Sequence, residues 1–224
     1  MDFGVIYRNW DFLILQGLFG IGNFVGGTLR LAIPAMILGF ILGIFIGLAR
    51  LARSAWIRVP ATVYVEFFRG VPLVMVIFWF WFILPVVLGI PLPEYGIALA
   101  AFIFFEAAYL GEIIRAGIQS VPRGQIEAAA SSGLGSAQTM RHVVLPQALR
   151  NMIPALVTQF IVLFKDTSLA SIIGYVDLTK AAQIVNNREI RPFELYIFIA
   201  VVYWLCTYAM SRYAQSLERR LTPI

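Results

Sequence analysis

The chain has 224 residues, 60% of them hydrophobic and only 13% charged, with a mean hydropathy of +0.84. Soluble domains carry about twice that charged fraction, and the apolar residues come in blocks long enough to cross a ~30 Å hydrocarbon core as helices of about 20 residues. A soluble globule is therefore excluded, and the net charge of +5 does not point to nucleic acid, because the 17 basic residues lie scattered at the edges of apolar blocks. No ten-residue alternating strand pattern is present, so the expected fold class is an all-α integral membrane protein. The single cysteine, Cys206, falls inside an apolar run and builds no disulfide framework. The start, Met1-Asp2-Phe3, lacks the basic stretch of a cleavable signal peptide, so the first span is expected to remain as an anchor.

Residues 1–27 read as an extracytoplasmic or interfacial segment. Trp10 and the run 12–15 are expected to lie flat at the membrane interface, and the Gly-rich piece 20–27 has no evident purpose. A first span covers about 28–48. Its Gly39, Gly43 and Gly47 fall four apart on one face, where another backbone can approach closely, and internal packing is favoured over a dimer contact. Arg50, Arg53 and Arg58 follow. Pro60 opens a second span to about 88, with Glu66 and Arg69 inside it and Pro72 placed to kink it.

A third span, about 95–118, carries Glu106, Glu112 and Arg115. The stretch after it is too polar to cross. Glu127-Ala128-Ala129-Ala130 favours a helix, Gly133 and Gly135 permit a bend, Ser136 is expected to cap a second short helix, and Pro146 to end or redirect it. Helix, bend and helix on an aqueous face make a rigid knob that suits a partner's cleft. A fourth apolar run begins near Met152, is interrupted at 165–168, and resumes to Val176. Residues 177–194 read as a polar patch with turn signals at Asn186-Asn187-Arg188 and Pro192. The last of about five spans covers 195–212, with Arg219, Arg220 and a tail at 221–224 beyond it.

Basic residues set the orientation. Arg50, Arg53, Arg58, Arg123, Arg141, Arg150, Arg212, Arg219 and Arg220 fall on one side. Arg8, Lys180, Arg188 and Arg191 fall on the other, diluted by Asp2, Asp11, Glu94, Asp177 and Glu189. The richer side is expected to be cytoplasmic, which puts the amino terminus outside and the carboxyl terminus and the knob inside.

The buried polar residues are the second signal. At 1.5 Å per residue, a point about ten residues into a span lies near the midplane. Arg69, Glu106, Lys165 and Asp166 all fall at such depths, where each would cost at least ~2.5 kcal/mol facing lipid. Either they converge on a shared polar cavity or they form internal pairs that fix packing; Glu112 and Arg115 read as the latter. Thr167 and Ser168 can bond freed backbone groups or a ligand, and the interruption around them suits either the discontinuous helix of a transporter or a hinge. Enzyme chemistry finds no support. His142 has no neighbouring ligand set, no zinc spacing occurs, and there is no G-x-x-x-x-G-K-[ST] to cradle a nucleotide. No metal or cofactor is expected in the chain. A passive channel would use the same cavity but has no need of the knob.

The knob also carries a resemblance. Glu127-Ala128-Ala129, Gly133 and Pro146 are similar to the EAA loop of permease subunits of bacterial ABC importers. Phe68-Arg69-Gly70-Val71-Pro72-Leu73, the run from Glu112 to Ile118, and Lys165-Asp166-Thr167-Ser168-Leu169 resemble the polar amino-acid branch of those permeases. The resemblance runs over about 28–220. It implies a type I ABC importer permease fold in the bacterial inner membrane, with one transmembrane domain at 28–220 and a coupling loop at 122–148. It further implies that Glu127, Ala128, Ala129, Gly133 and Pro146 dock an ABC ATPase subunit dimer, which binds the ATP. A second permease subunit, a related chain or this one, completes the pathway, and a periplasmic substrate-binding protein delivers an amino acid. Pathway residues are then Arg69, Glu106, Lys165, Asp166, Thr167 and Ser168. Pro72-Leu73-Val74-Met75-Val76 with Trp79, and Ile161-Val162-Leu163-Phe164 before Lys165, look most like glutamate/aspartate permeases, with glutamine, histidine or arginine as alternative substrates.

The orientation has a direct check. In a Cys206→Ala background, Ser136→Cys is expected to react with a membrane-impermeant maleimide only after cells are permeabilised. Labelling of intact cells from outside would overturn the orientation.

Overall fold

The computed structural model describes residues 3–22 and 26–221, the side chains of 218–221 excepted. The expectations for Asp2, for the side chains of Arg219 and Arg220 and for 222–224 lie outside the described residues. All regular structure among the described residues is helical. In chain order it comprises α1 (Gly4–Arg8), a π-helical stretch (Asp11–Leu18), α2 (Thr28–Arg50), α3 (Ala55–Gly70) and α4 (Leu73–Leu88). Then come α5 (Glu94–Gln119), α6 (Arg123–Ser131), α7 (Ser136–Thr139), α8 (Leu145–Asp166), α9 (Leu178–Glu189) and α10 (Pro192–Leu221). Four runs are long and apolar enough to cross a membrane: Thr28–Arg50, Glu94–Gln119, Ser136–Ile173 and Pro192–Leu217. The pair α3 and α4 makes a fifth if taken as one span, bent by 108°.

The frame is α2 laid against α5. A Cβ added at Gly43 would lie 2.9 Å from the Leu110 Cβ, and one at Gly47 would lie 2.7 Å from the Gly111 carbonyl oxygen. The glycine stripe thus packs inside the chain, and its small residues let two backbones approach where dispersion contacts replace the missing hydrophobic drive. Ala98, Ala101 and Phe102 of α5 join Leu31, Ala32 and Ala35 of α2 and Val76 and Ile77 of α4 in one core.

Several local readings need correction. Residues 177–194 are not an irregular polar patch. The buried positions Leu178, Ala181, Ala182 and Val185 recur at helical spacing, and the Asp177 side chain accepts from the Thr179 and Lys180 backbone N–H groups at 3.0 and 2.9 Å, capping α9. The turn signals Asn186-Asn187-Arg188 fall in its last two turns; the chain reverses only at Ile190, and Pro192 opens α10. Because α9 exposes an apolar face, the amino-terminal segment covers it. Val5, Leu13, Ile14 and Leu18 are buried against α9 and against Leu195 and Ile199 of α10, so run 12–15 faces protein on its buried side and does not simply lie flat. The glycines gain a purpose as well. The Gly27 N–H donates to the Val176 carbonyl at 2.8 Å and the Tyr175 hydroxyl donates to the Gly27 carbonyl at 2.8 Å. This seam continues to the Tyr203 hydroxyl, which donates to Asp177 at 3.1 Å. Burial pushes the Asp177 carboxyl up to about 6, opposed by the Lys180 and Thr179 donors.

Two expectations in the knob also change. Gly135, in an extended conformation, stands at the N-cap of α7, and its N–H donates to the Gln138 side-chain oxygen at 3.0 Å, so Ser136 is inside the helix and makes no cap. Pro146 neither ends nor redirects the segment. It sits in the first turn of α8 after a π-helical turn, Met140–Val144, and wider i→i+5 winding accommodates a ring that tight α-winding would not. The result is one 38-residue run from the knob to Ile173.

Gly47→Leu is expected to lower the thermal unfolding midpoint of the purified transporter, since overpacking a tight contact costs about 1–3 kcal/mol. Gly124→Ala, whose added Cβ meets nothing within 4 Å, serves as the control and should leave the midpoint in place.

Candidate functional site

Pro72 does more than kink its helix. It holds φ −60° and ψ 137°, and Val71 before it is extended at φ −110° and ψ 138°, as the clash with a following proline ring requires. α3 therefore ends at Gly70 and α4 starts afresh. A second break stands in the neighbouring run, where α8 gives way after Asp166 to a tighter 3-10 helix, Thr167–Ile173, ended by Gly174 at φ 93°. Between these breaks lies an open cavity of about 540 Å³, lined by residues 69–73 and by Phe105, Tyr109, Gln159, Val162, Asp166 and Leu169. The volume falls within the range of small-ligand sites.

The structure distributes the six sequence-proposed pathway residues unevenly. Arg69 lines the cavity with its guanidinium 5.6 Å from the centre of the Tyr109 ring, a cation–π arrangement. Asp166 also lines the cavity, half-buried. Glu106 is fully buried one layer back. One of its oxygens accepts from the Gln159 side-chain amide at 2.9 Å and the other has no hydrogen-bond partner among the described residues. Lys165 is exposed and does not line the cavity. Thr167 is buried and donates to the Phe164 carbonyl at 2.8 Å, satisfying backbone at the helix change. Ser168 is half-buried and off the cavity wall. Sequence reasoning missed Tyr109 and Gln159. Gln159 carried a usable signal, an amide within an apolar run; Tyr109 is one helical turn after Glu106.

The knob stands clear of the bundle. α6 ends in a turn where the Gly133 N–H donates to the Ala130 carbonyl at 3.0 Å and the Leu134 N–H to the Ala129 carbonyl at 3.1 Å. Gly133 has φ 82°, and an added Cβ would meet nothing within 4 Å. Glu127, Ala128 and Pro146 are exposed and Ala129 is buried. Val121, Val144, Ala148 and Met152 pack on Ile114 of α5 and fix the base. Ile126, Met140, Leu145 and Leu149 are each at least 40% exposed, an apolar surface beyond what the bundle uses.

At the knob end, Arg50 of α2 and Arg115 both pair with Glu112, Arg115 at 2.5 Å, and Arg115 also donates to Gln119. This is the structural pairing expected for Glu112 and Arg115, with Arg50 added across helices.

Residues 39–223 match the family described as "Binding-protein-dependent transport system inner membrane component". The chain is 42% identical over 198 residues to the probable glutamine ABC transporter permease protein GlnP of Bacillus subtilis, covering 87% of this chain and 90% of that protein. It is 40% identical over 201 residues to the glutamate/aspartate import permease protein GltK of Escherichia coli O6:H1, covering 86% and 89% respectively. Among solved structures, a chain of an amino acid ABC transporter crystallised with histidines superposes with a TM-score of 0.89 at 35% identity, covering 98% of this chain and 99% of that one.

Glu112 is the hinge of the ion cluster, and its loss leaves two guanidinium groups facing one another. Glu112→Ala is expected to lower stability by about 1–3 kcal/mol, less than a fully buried pair would because the site is partly wet. Arg115→Ala should be milder, since Glu112 keeps Arg50. Equal thermal midpoints for the two variants would contradict this arrangement.

Proposed function

Because the chain belongs to the family of binding-protein-dependent transport system inner membrane components, we propose that it is a membrane-spanning permease subunit of an ATP-driven ABC importer for polar amino acids. The observation that carries the reading is a polar cavity set between a broken helix pair and a change of helical winding, with an exposed knob joined to it by one helical run. Broken helices place backbone and side-chain polar groups where a solute can meet them at mid-membrane. The knob, with Glu127, Ala128, Ala129, Gly133 and Pro146, docks an ATPase subunit dimer that binds and hydrolyses ATP. An extracytoplasmic binding protein delivers the substrate, a second permease subunit completes the pathway, and the chain lies in the bacterial inner membrane with its amino terminus outside.

An amino acid carries an ammonium and a carboxylate. Arg69 suits the carboxylate and Asp166 the ammonium, with Tyr109 and Gln159 between polar and aromatic contact. A dicarboxylic substrate needs surplus positive charge, and the sequence offered Lys165 for it; Lys165 is off the cavity wall. Charge balance therefore supports a net-neutral amino acid such as glutamine, which is also the substrate named for the B. subtilis relative. Glutamate or aspartate is the second reading, favoured by the E. coli relative and by the similarity of the Pro72–Val76 stretch.

Two measurements test this. Uptake of labelled glutamine by the reconstituted complex should fall with excess unlabelled glutamine more than with excess aspartate; the reverse ranking makes the acidic reading correct. Gly133→Val strains a left-handed turn by about 1–2 kcal/mol, too little to unfold the bundle, and is expected to abolish uptake with membrane abundance near normal. Normal uptake by that variant would remove the coupling role. A passive channel would show substrate flux with no substrate-stimulated ATP hydrolysis.

A further inference from the structure

The turn joining α9 to α10 places a non-glycine residue in the left-handed region at the C-cap of α9, where its N–H donates to the Asn186 carbonyl at 2.8 Å. Ile190 has φ 51° and ψ 55°, and among the described residues no other non-glycine has positive φ. A β-branched side chain is poorly suited to this left-handed region, where Gly or Asn would end the helix without strain. The Ile190 side chain is 80% exposed, so internal packing does not offset the strain. Phe193, in the first turn of α10, is 70% exposed and Tyr7 is 87% exposed. Tyr7 is drawn to the same place by its neighbours, since Arg8 and Asn9 donate to the two carboxylate oxygens of Glu189 at 2.7 and 3.0 Å.

The surroundings indicate what covers these side chains. Phe193 begins a line of exposed apolar residues down α10, through Ile197, Val201, Trp204 and Tyr208. Steps of three and four keep them on one helix face, the face that a spanning helix turns to hydrocarbon. Ile190 lies just before the start of that span between the exposed Arg188 and Arg191, and Tyr7 lies in α1, whose end is tied to Glu189. Aromatic and aliphatic side chains bordered by arginines at a span's end are the composition of interfacial anchors, with guanidinium groups placed for lipid phosphate. A protein docking from the aqueous side would not need continuity with an apolar line running down a candidate span.

We propose that the α9–α10 turn with Tyr7 is an interfacial anchor, seating Ile190 and Phe193 in the adjoining lipid leaflet and Arg188 and Arg191 against anionic headgroups. The inference depends on α10 spanning the membrane, not on the substrate or on which side the amino terminus lies.

To test it, Ile190→Cys in a Cys206→Ala background is labelled with bimane in the assembled transporter, with cysteine-free partner subunits, and reconstituted into vesicles containing phosphatidylglycerol. Quenching is expected to be strongest from nitroxides at the headgroup and shallow acyl positions, weaker from those at the chain end, and unchanged by saturating binding protein. Absence of quenching by any lipid nitroxide, or protection by the binding protein, overturns the proposal and assigns the patch to a protein. Separately, Arg188→Gln with Arg191→Gln should reduce by about half the rise in thermal midpoint that phosphatidylglycerol vesicles give over phosphatidylcholine vesicles. An undiminished rise overturns the role of the arginines.

Discussion

A backbone N–H or C=O left unpaired in hydrocarbon costs several kcal/mol, so a membrane helix can be interrupted only where something else satisfies it. This chain interrupts two neighbouring helical paths, at Gly70–Pro72 and after Asp166. Each break is answered locally. The Met75 N–H donates to the Pro72 carbonyl at 3.0 Å, and the Thr167 hydroxyl donates to the Phe164 carbonyl at 2.8 Å. Both breaks then face the same cavity rather than lipid. Proline fixes the first break and a change to tighter winding makes the second. The polar cavity is a consequence of placing the two side by side.

Such a cavity needs a rigid wall, which α2 and α5 supply. Three glycines of α2 bring its backbone against α5, and at Gly43 and Gly47 an added Cβ would come under 3 Å from α5 atoms, so the two helices interlock closely. Two carboxylates on α5 then meet opposite fates. Glu112, near the knob end, is matched by Arg50 and Arg115, and the cluster ties α2 to α5 at the base. Glu106, under two turns earlier, is buried with a single amide partner from α8. The first is a structural pair. The second leaves polar capacity unspent beside the cavity, at a depth where such capacity is expensive.

The helical membrane class, the glycine contact, the Glu112–Arg115 pair and the helix–bend–helix knob were legible in the sequence because each rests on local spacing. The α9 helix was not. Its polar residues and an Asn-Asn pair resemble a turn and outweigh the helical spacing of Leu178, Ala181, Ala182 and Val185, whose burial depends on residues 5–18 far away in sequence. Pro146 misled for a related reason: propensity disfavours proline in a helix, and the π-helical turn before it is a response that spacing does not announce. Lys165 and Asp166 are adjacent in the sequence but diverge in space, since neighbours on a helix point about 100° apart. Spacing along the chain does not give that direction.

Direction is also what joins the cavity to the knob. The run Ser136–Ile173 is 38 residues long, about 57 Å if wound throughout at α-helical rise. Its beginning forms the second half of the knob, its middle carries Gln159 and its end carries Asp166 and Leu169 into the cavity wall. Met152 seats that run against Gly117 of α5, where an added Cβ would come within 2.3 Å of the Met152 side chain. A glycine at that crossing lets the Met152 side chain seat against the α5 backbone, and with Val144 and Ala148 on Ile114 it fixes the run to α5 at the base of the knob. The winding changes at Met140–Val144 and Thr167–Ile173 lie on either side of the α-helical part Leu145–Asp166, so one segment carries residues of both the knob and the cavity wall, and its contact with α5 sets the position of both.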